Sequence, residues 1–277
     1  MGTDKYIHRW DIRLWLWVCL YSAMIFSSIP TVRGFQKFTY ETAGKEFFIY
    51  SVLFVITAAV AMFLYILIFR LRARDISRYI WLLLCGGAYF YLAIILGKHP
   101  EESVHLIEYS LLALLVFRAL NHRIRDWTVY LTSALMVALI GSIDEFMQWL
   151  TPGRIWDYKD LGINAAAGAL LLFAVHKIIK PDSGSRPVEK FSVRLLAGTM
   201  TLDLILLGLF LSNTPETVNV YTSAFKGLSW LRNEEPMTKH INSTIFFNIK
   251  TVWSFIVITL AAVWISAGLW ERKINSA

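Results

Sequence analysis

Three short stretches of an otherwise apolar sequence carry side chains that can move protons, hold anions or bind hard cations. They are "HLIEY", with His105, Glu108 and Tyr109; "DEFMQ", with Asp144, Glu145 and Gln148; and "PGRIWDYKDLGIN", with Arg154, Asp157, Asp160 and Asn164. On a helix, His105 and Glu108 are spaced i, i+3 and share a face. Asp144 and Gln148 are spaced i, i+4, and Glu145 beside Asp144 is rotated away by about 100°. Asp157, Asp160 and Asn164 follow i, i+3, i+7, and Gly168 continues that stripe. Arg154 follows Pro152 and Gly153 in a turn, which aims its planar fork at a carboxylate or a phosphate.

Several chemistries suit such a set. Carboxylates with His105 serve as acid and base on a glycosidic or phosphoester bond when their environments separate their proton affinities. Several oxygens instead bind a hard divalent cation such as Mg²⁺ or Ca²⁺, bridging to a phosphate that Arg154 also holds. One imidazole among many carboxylates argues against zinc. In a third arrangement the carboxylates relay a proton and move a substrate, as in transporters, but no inverted repeat is evident. Structural support alone is a further reading: Asp157 would cap a helix and Asp160 would favour its first turn. Capping does not account for Asp144, Glu145, Gln148 and His105 on two other helices.

The elements that must position these residues follow from composition. The chain has 277 residues, of which 56% are hydrophobic and 17% charged, which excludes disorder and argues against a soluble domain. Apolar runs of about twenty residues recur along it, each long enough to cross a bilayer as a helix. An all-α polytopic transmembrane bundle of eight spans is expected, over residues 14–30, 47–69, 78–97, 103–120, 128–150, 160–179, 195–212 and 251–270. Cys19 and Cys85 lie in apolar runs and read as small core residues. The net charge of +7 sits in short loops without an aromatic-interleaved patch, so it speaks for membrane orientation and not for nucleic acid.

Alternate loops differ in basic residues. One side collects seventeen of the 27 Lys and Arg, which by the positive-inside rule sets both termini in the cytoplasm. Spans four, five and six then bring "HLIEY", "DEFMQ" and "DYKDLGIN" to the extracytoplasmic side, joined by short loops. Asp144 lies eight residues before Pro152, about 12 Å along a helix at 1.5 Å per residue, and so below the headgroups. Charges at that depth are costly and are functional candidates by default.

In order and spacing these motifs resemble the VanZ-like membrane proteins, a family named after a glycopeptide-resistance accessory protein. The resemblance rests on His105, Glu108 and Tyr109; Asp144, Glu145 and Gln148; Pro152, Gly153 and Arg154; and Asp157, Asp160, Asn164 and Gly168. It covers about residues 78–180, a four-helix core, with 1–77 as an added N-terminal pair and 181–277 as a cytoplasmic linker plus a C-terminal pair. It implies an integral membrane protein, linked in some members to resistance against lipidated glycopeptides such as teicoplanin, and it names no reaction.

The functional expectation is a hydrolase or transferase acting on an envelope glycolipid or lipid-linked glycan from an outward-facing pocket of a bacterial inner membrane. His105, Glu108, Asp144, Glu145, Asp157 and Asp160 would be its acid, base, nucleophile or cation ligands. Arg154, Gln148, Asn164 and Tyr109 would bind substrate. The alternative is a non-enzymatic protein that binds lipids or lipidated antibiotics and alters their access to the surface. Two further features stand apart: an amphipathic stretch within 213–250, and Asp203 in mid-span, either beside the core or in a local niche with Thr199 and Thr201.

Overall fold

A computed structural model describes residues 4–98, 102–150, 158–180, 186–211 and 249–276. Among them there is no strand. The helices are α1 (Asp4–Ala43), α2 (Glu46–Tyr65), α3 (Ile76–Ile95), α4 (Val104–Leu120), α5 (Thr128–Leu150), α6 (Tyr158–Ala174), α7 (Lys190–Leu211) and α8 (Ile249–Ser276). Wider π turns extend α2 through Ile66–Arg70 and α6 through Val175–Ile179. Seven of these helices are long and apolar enough to cross a membrane, so the chain is a helical membrane protein. The remaining one, α4, has 17 residues and falls short of that length.

The short helix is nonetheless the centre of the bundle. Leu106, Tyr109, Leu112, Ala113, Val116 and Ala119 of α4 are buried, because α1, α5 and α6 pack around it. Phe54, Leu83, Ile94 and Ile258 on the outer helices are exposed, as suits side chains facing hydrocarbon. Glycine sets the closest approach: a Cβ on Gly168 of α6 would stand 2.7 Å from Val137 Cγ1 of α5 and 3.5 Å from Ala113 Cβ of α4. Small residues at such crossings let helix backbones meet where no hydrophobic force between helices operates.

Polar caps tie the ends together. Asp75 caps α3 by accepting from the Ser77 amide at 3.0 Å, and Lys180 at the end of the α6 extension reaches it at 2.6 Å. The Lys180 hydrogen bond, with those from Ser77, holds the Asp75 carboxyl down at about 2. Buried Asp126 accepts from the Thr128 amide at 2.9 Å, from the Thr128 hydroxyl at 2.5 Å and from Ser192 of α7 at 2.7 Å, so one carboxylate starts α5 and docks α7 on it.

Helix α1 differs from the expected span 14–30 by running through Pro30 to Ala43. Its outer part is held by packing: Phe35 and Tyr40 meet Phe48 of α2 edge-on, and Gly44 at φ +82° makes the reversal between the two helices. Cys85 is buried as expected, whereas Cys19 is exposed on the outside of α1 and is not a core residue.

Candidate functional site

The site forms where α4, α5 and α6 converge, and its centre is Tyr109. This tyrosine is fully buried, and its hydroxyl donates to Asp144 Oδ2 across α4 and α5 at 3.0 Å. Buried Tyr side chains ordinarily find a partner for the hydroxyl, and here the partner is a carboxylate. Gln148 Nε2 donates to Asp144 Oδ2 at 3.1 Å and to Glu145 Oε1 at 3.0 Å. Asp144 (1% exposed), Glu145 (0%), Gln148 (3%) and Asn164 (0%) are thus all withdrawn from the surface, where each polar group costs free energy unless it is paired.

Glu145 joins the cluster through Gln148. Adjacent residues diverge on a helical wheel, yet Gln148 stands i+4 from Asp144 and i+3 from Glu145, so its long amide bridges the two carboxylates. The result is a pair of acids linked through one amide, with Tyr109 on the Asp144 side.

A second glycine builds the floor. A Cβ on Gly141 would stand 3.1 Å from Asn164 Cβ and 3.2 Å from Tyr109 Cε1, so α5 passes at close range between Tyr109 and Asn164. Asn164 lies on α6 as the i, i+3, i+7 pattern requires. Both its Oδ1 and its Nδ2, together with Asp144 Oδ1, are buried and accept or donate no hydrogen bond among the described residues. Nearly all buried polar groups in proteins are paired, so three unpaired atoms in one site are a specific feature.

At the rim, His105 Nδ1 lies 3.2 Å from Glu108 Oε2, and these side chains are 20% and 30% exposed. The charges of Glu108, Asp160 and Glu145 all act on the His105 ring, which brings the first turn of α6 into the same electrostatic neighbourhood. Tyr21 of α1 donates to the Glu108 carbonyl at 3.3 Å. On the far side of the site, the Tyr89 hydroxyl of α3 shares a hydrogen bond of 2.6 Å with Ser110 and donates to the Ala167 carbonyl at 2.8 Å.

Of the expected site residues, His105, Glu108, Tyr109, Asp144, Glu145, Gln148 and Asn164 come together, with Asp160 beside them. Arg154 and Asp157 lie outside the described residues, as does the stretch 213–248. No group of three or more His, Cys, Asp or Glu among the described residues is arranged to hold a metal ion.

No family model, curated protein or solved structure matches this chain. The reading of the site therefore rests on its geometry.

Sequence reasoning missed the contributions of Tyr89, Ser110 and Gly141. Gly141, one turn before Asp144, and Ser110, next to Tyr109, were legible as neighbours of the motifs. Asp203 of α7 has neither threonine for company: Thr199 and Thr201 donate to the Leu195 and Ala197 carbonyls of their own helix, at 2.9 and 2.8 Å. The niche reading of that residue is corrected accordingly. Hydroxyls one turn from a carbonyl satisfy themselves locally and leave the aspartate out.

Proposed function

We propose that this chain is a VanZ-like protein of the bacterial cytoplasmic membrane with eight spans and both termini cytoplasmic. Its site engages the hydroxyl-rich head of an envelope glycolipid or lipid-linked glycan from the extracytoplasmic side. The seventeen-to-ten division of Lys and Arg between alternate loops supports the orientation. The central place of α4 among the other helices supports counting it as the eighth span.

One observation carries the ligand reading: Asp144 Oδ1 and both polar atoms of Asn164 are buried without a hydrogen-bond partner among the described residues. An acceptor and an amide held in this way match the donor and acceptor of a sugar hydroxyl, and leaving them without a partner costs folding energy. Asp144 and Glu145 would then act as base or nucleophile within the cluster, and His105 with Glu108 would exchange protons at its rim.

The test uses purified full-length protein incubated with extracted envelope lipids, followed by mass spectrometry, beside an Asp144→Asn variant of equal membrane abundance. A new lipid product that falls at least about a hundredfold in the variant supports an enzyme, since general acid–base groups contribute factors of about 10²–10⁴. Retention of a lipid without conversion, lost in the variant, supports the non-enzymatic binder. Equal behaviour of variant and parent sinks both.

A further inference from the structure

Beneath the polar site lies an apolar cavity of about 340 Å³, walled by α2, α3, α4 and the end of α6 with its extension. We propose that this cavity holds the hydrocarbon chain of a membrane lipid whose polar head meets the site above it. The proposal rests on the lipid-substrate reading for the identity of the head, while the chain site stands on its own observations.

The first is chemical character. The walls are hydrocarbon from Leu106 to Ile178, and the two hydroxyls among them, Tyr89 and Ser110, are already bonded to each other and to the Ala167 carbonyl. Water enters a cavity only where two or more polar groups await it, and an apolar cavity of about 150 Å³ already takes a molecule the size of benzene. A space more than twice as large, whose lining adds to those bonded hydroxyls only the weakly polar Cys85 thiol, suits a chain and not water.

The second is access. Val55 and Met62 of α2 and Leu111 of α4 line the cavity and are 40%, 55% and 43% exposed, so it opens sideways between α2 and α4. In a helical membrane protein that side faces lipid tails. The third is continuity and length. Leu106 and Ile107 line the cavity within the same turn as His105 and Glu108, and the lining runs eight residues on to Leu114, about 12 Å of helix. A chain lying there places its head at the rim of the polar site.

The test is photo-crosslinking of the full chain in phosphatidylglycerol vesicles doped with a phospholipid carrying a diazirine on one acyl chain, with the labelled residues mapped by mass spectrometry. Labelling concentrated on cavity residues of α3 and α4, such as Cys85, Leu106 and Leu114, is expected. Ala59→Phe adds a ring to the α2 wall and should lower that labelling at least fivefold. Ala58→Phe, which adds the same ring on the exposed side of α2, should leave it unchanged and controls for folding.

Labelling confined to outward residues such as Phe54, Leu83 and Ile94 in the parent protein overturns the proposal without recourse to any variant. Equal cavity labelling in Ala59→Phe and Ala58→Phe does the same, since a filled cavity cannot hold the chain. Displacement of the label by a second copy of the protein at higher surface density, and not by added lipid, also overturns it. Displacement by unlabelled phospholipid or by unlabelled polyprenyl phosphate supports it and tells which chain the cavity prefers. Asp144→Asn should keep the cavity labelling, so loss of polar-site activity and loss of chain binding are separate results.

Discussion

Replacing Asn164 by leucine probes the site through stability and function at once. The two side chains have the same number of heavy atoms and the same branching, and Asn164 is fully buried with both polar atoms lacking a protein partner among the described residues. A buried donor or acceptor left unpaired costs about 1–3 kcal/mol, and the leucine removes that penalty while keeping the branching, at the expense of two bulkier methyl groups. Gly141, whose Cα faces Asn164 closely, limits the gain because the tetrahedral branch of leucine must fit where a planar amide lay. Taking the lower part of the range, Asn164→Leu should stabilise the protein by about 1–2 kcal/mol, five- to thirtyfold in the folding equilibrium. The assay is unfolding of purified protein in mixed micelles titrated with a denaturing detergent, run beside lipid conversion or retention. Gain in stability with loss of lipid handling is the expected pair. A variant destabilised by more than about 1 kcal/mol would refute the reasoning, because it would mean that the amide has a partner worth keeping.

Two further outcomes follow from the packing and the caps. Gly168→Ala places a methyl 2.7 Å from Val137 Cγ1 and should cost about 1–3 kcal/mol in the same micelle titration; adding Val137→Ala should recover most of it, whereas no recovery would place the strain elsewhere. The Asp75 carboxyl is held down at about 2, chiefly by Lys180 and then by Ser77, so its contribution is complete above the ordinary carboxylate value of 3.8 and is lost as pH falls toward 2. Asp75→Asn, which keeps a capping side chain but not the charge, should therefore flatten part of the fall in thermal midpoint between pH 4 and pH 2, and an unchanged profile would show that ionisation of Asp75 is not coupled to folding.

Much of the site was readable because helical periodicity puts named residues on one face. His105 with Glu108, and Asp144 with Gln148, needed only their spacing, and Asn164 needed only the stripe that starts before it. The bundle as a whole was readable from apolar runs, since a bilayer leaves the backbone few alternatives to a helix. What spacing did not supply was the reach of long side chains. Gln148 joins two acids that a wheel diagram sets apart, and Tyr109 crosses to another helix to find Asp144. Nor did hydropathy give the true length of α1, because its outer part is held by Phe35, Tyr40 and Phe48 and not by apolar content. Asp203 shows the same limit: nearby threonines in sequence said nothing of where their hydroxyls turn.

The position of α4 has a consequence for how the protein is made. At 17 residues it is at the lower end of what a bilayer holds, and its buried face carries Tyr109. In the proposed eight-span arrangement it would leave the translocon before α5 and α6 have been synthesised, with the tyrosine hydroxyl lacking the carboxylate it meets in the folded bundle. Helix insertion and helix association are separate stages in a membrane, and this element depends on the second to keep what the first achieves. The acids of α5 meet their tyrosine only once α5 has followed α4 and packed against it, so in that arrangement the site would mature with the α4–α6 core, ahead of α7 and α8.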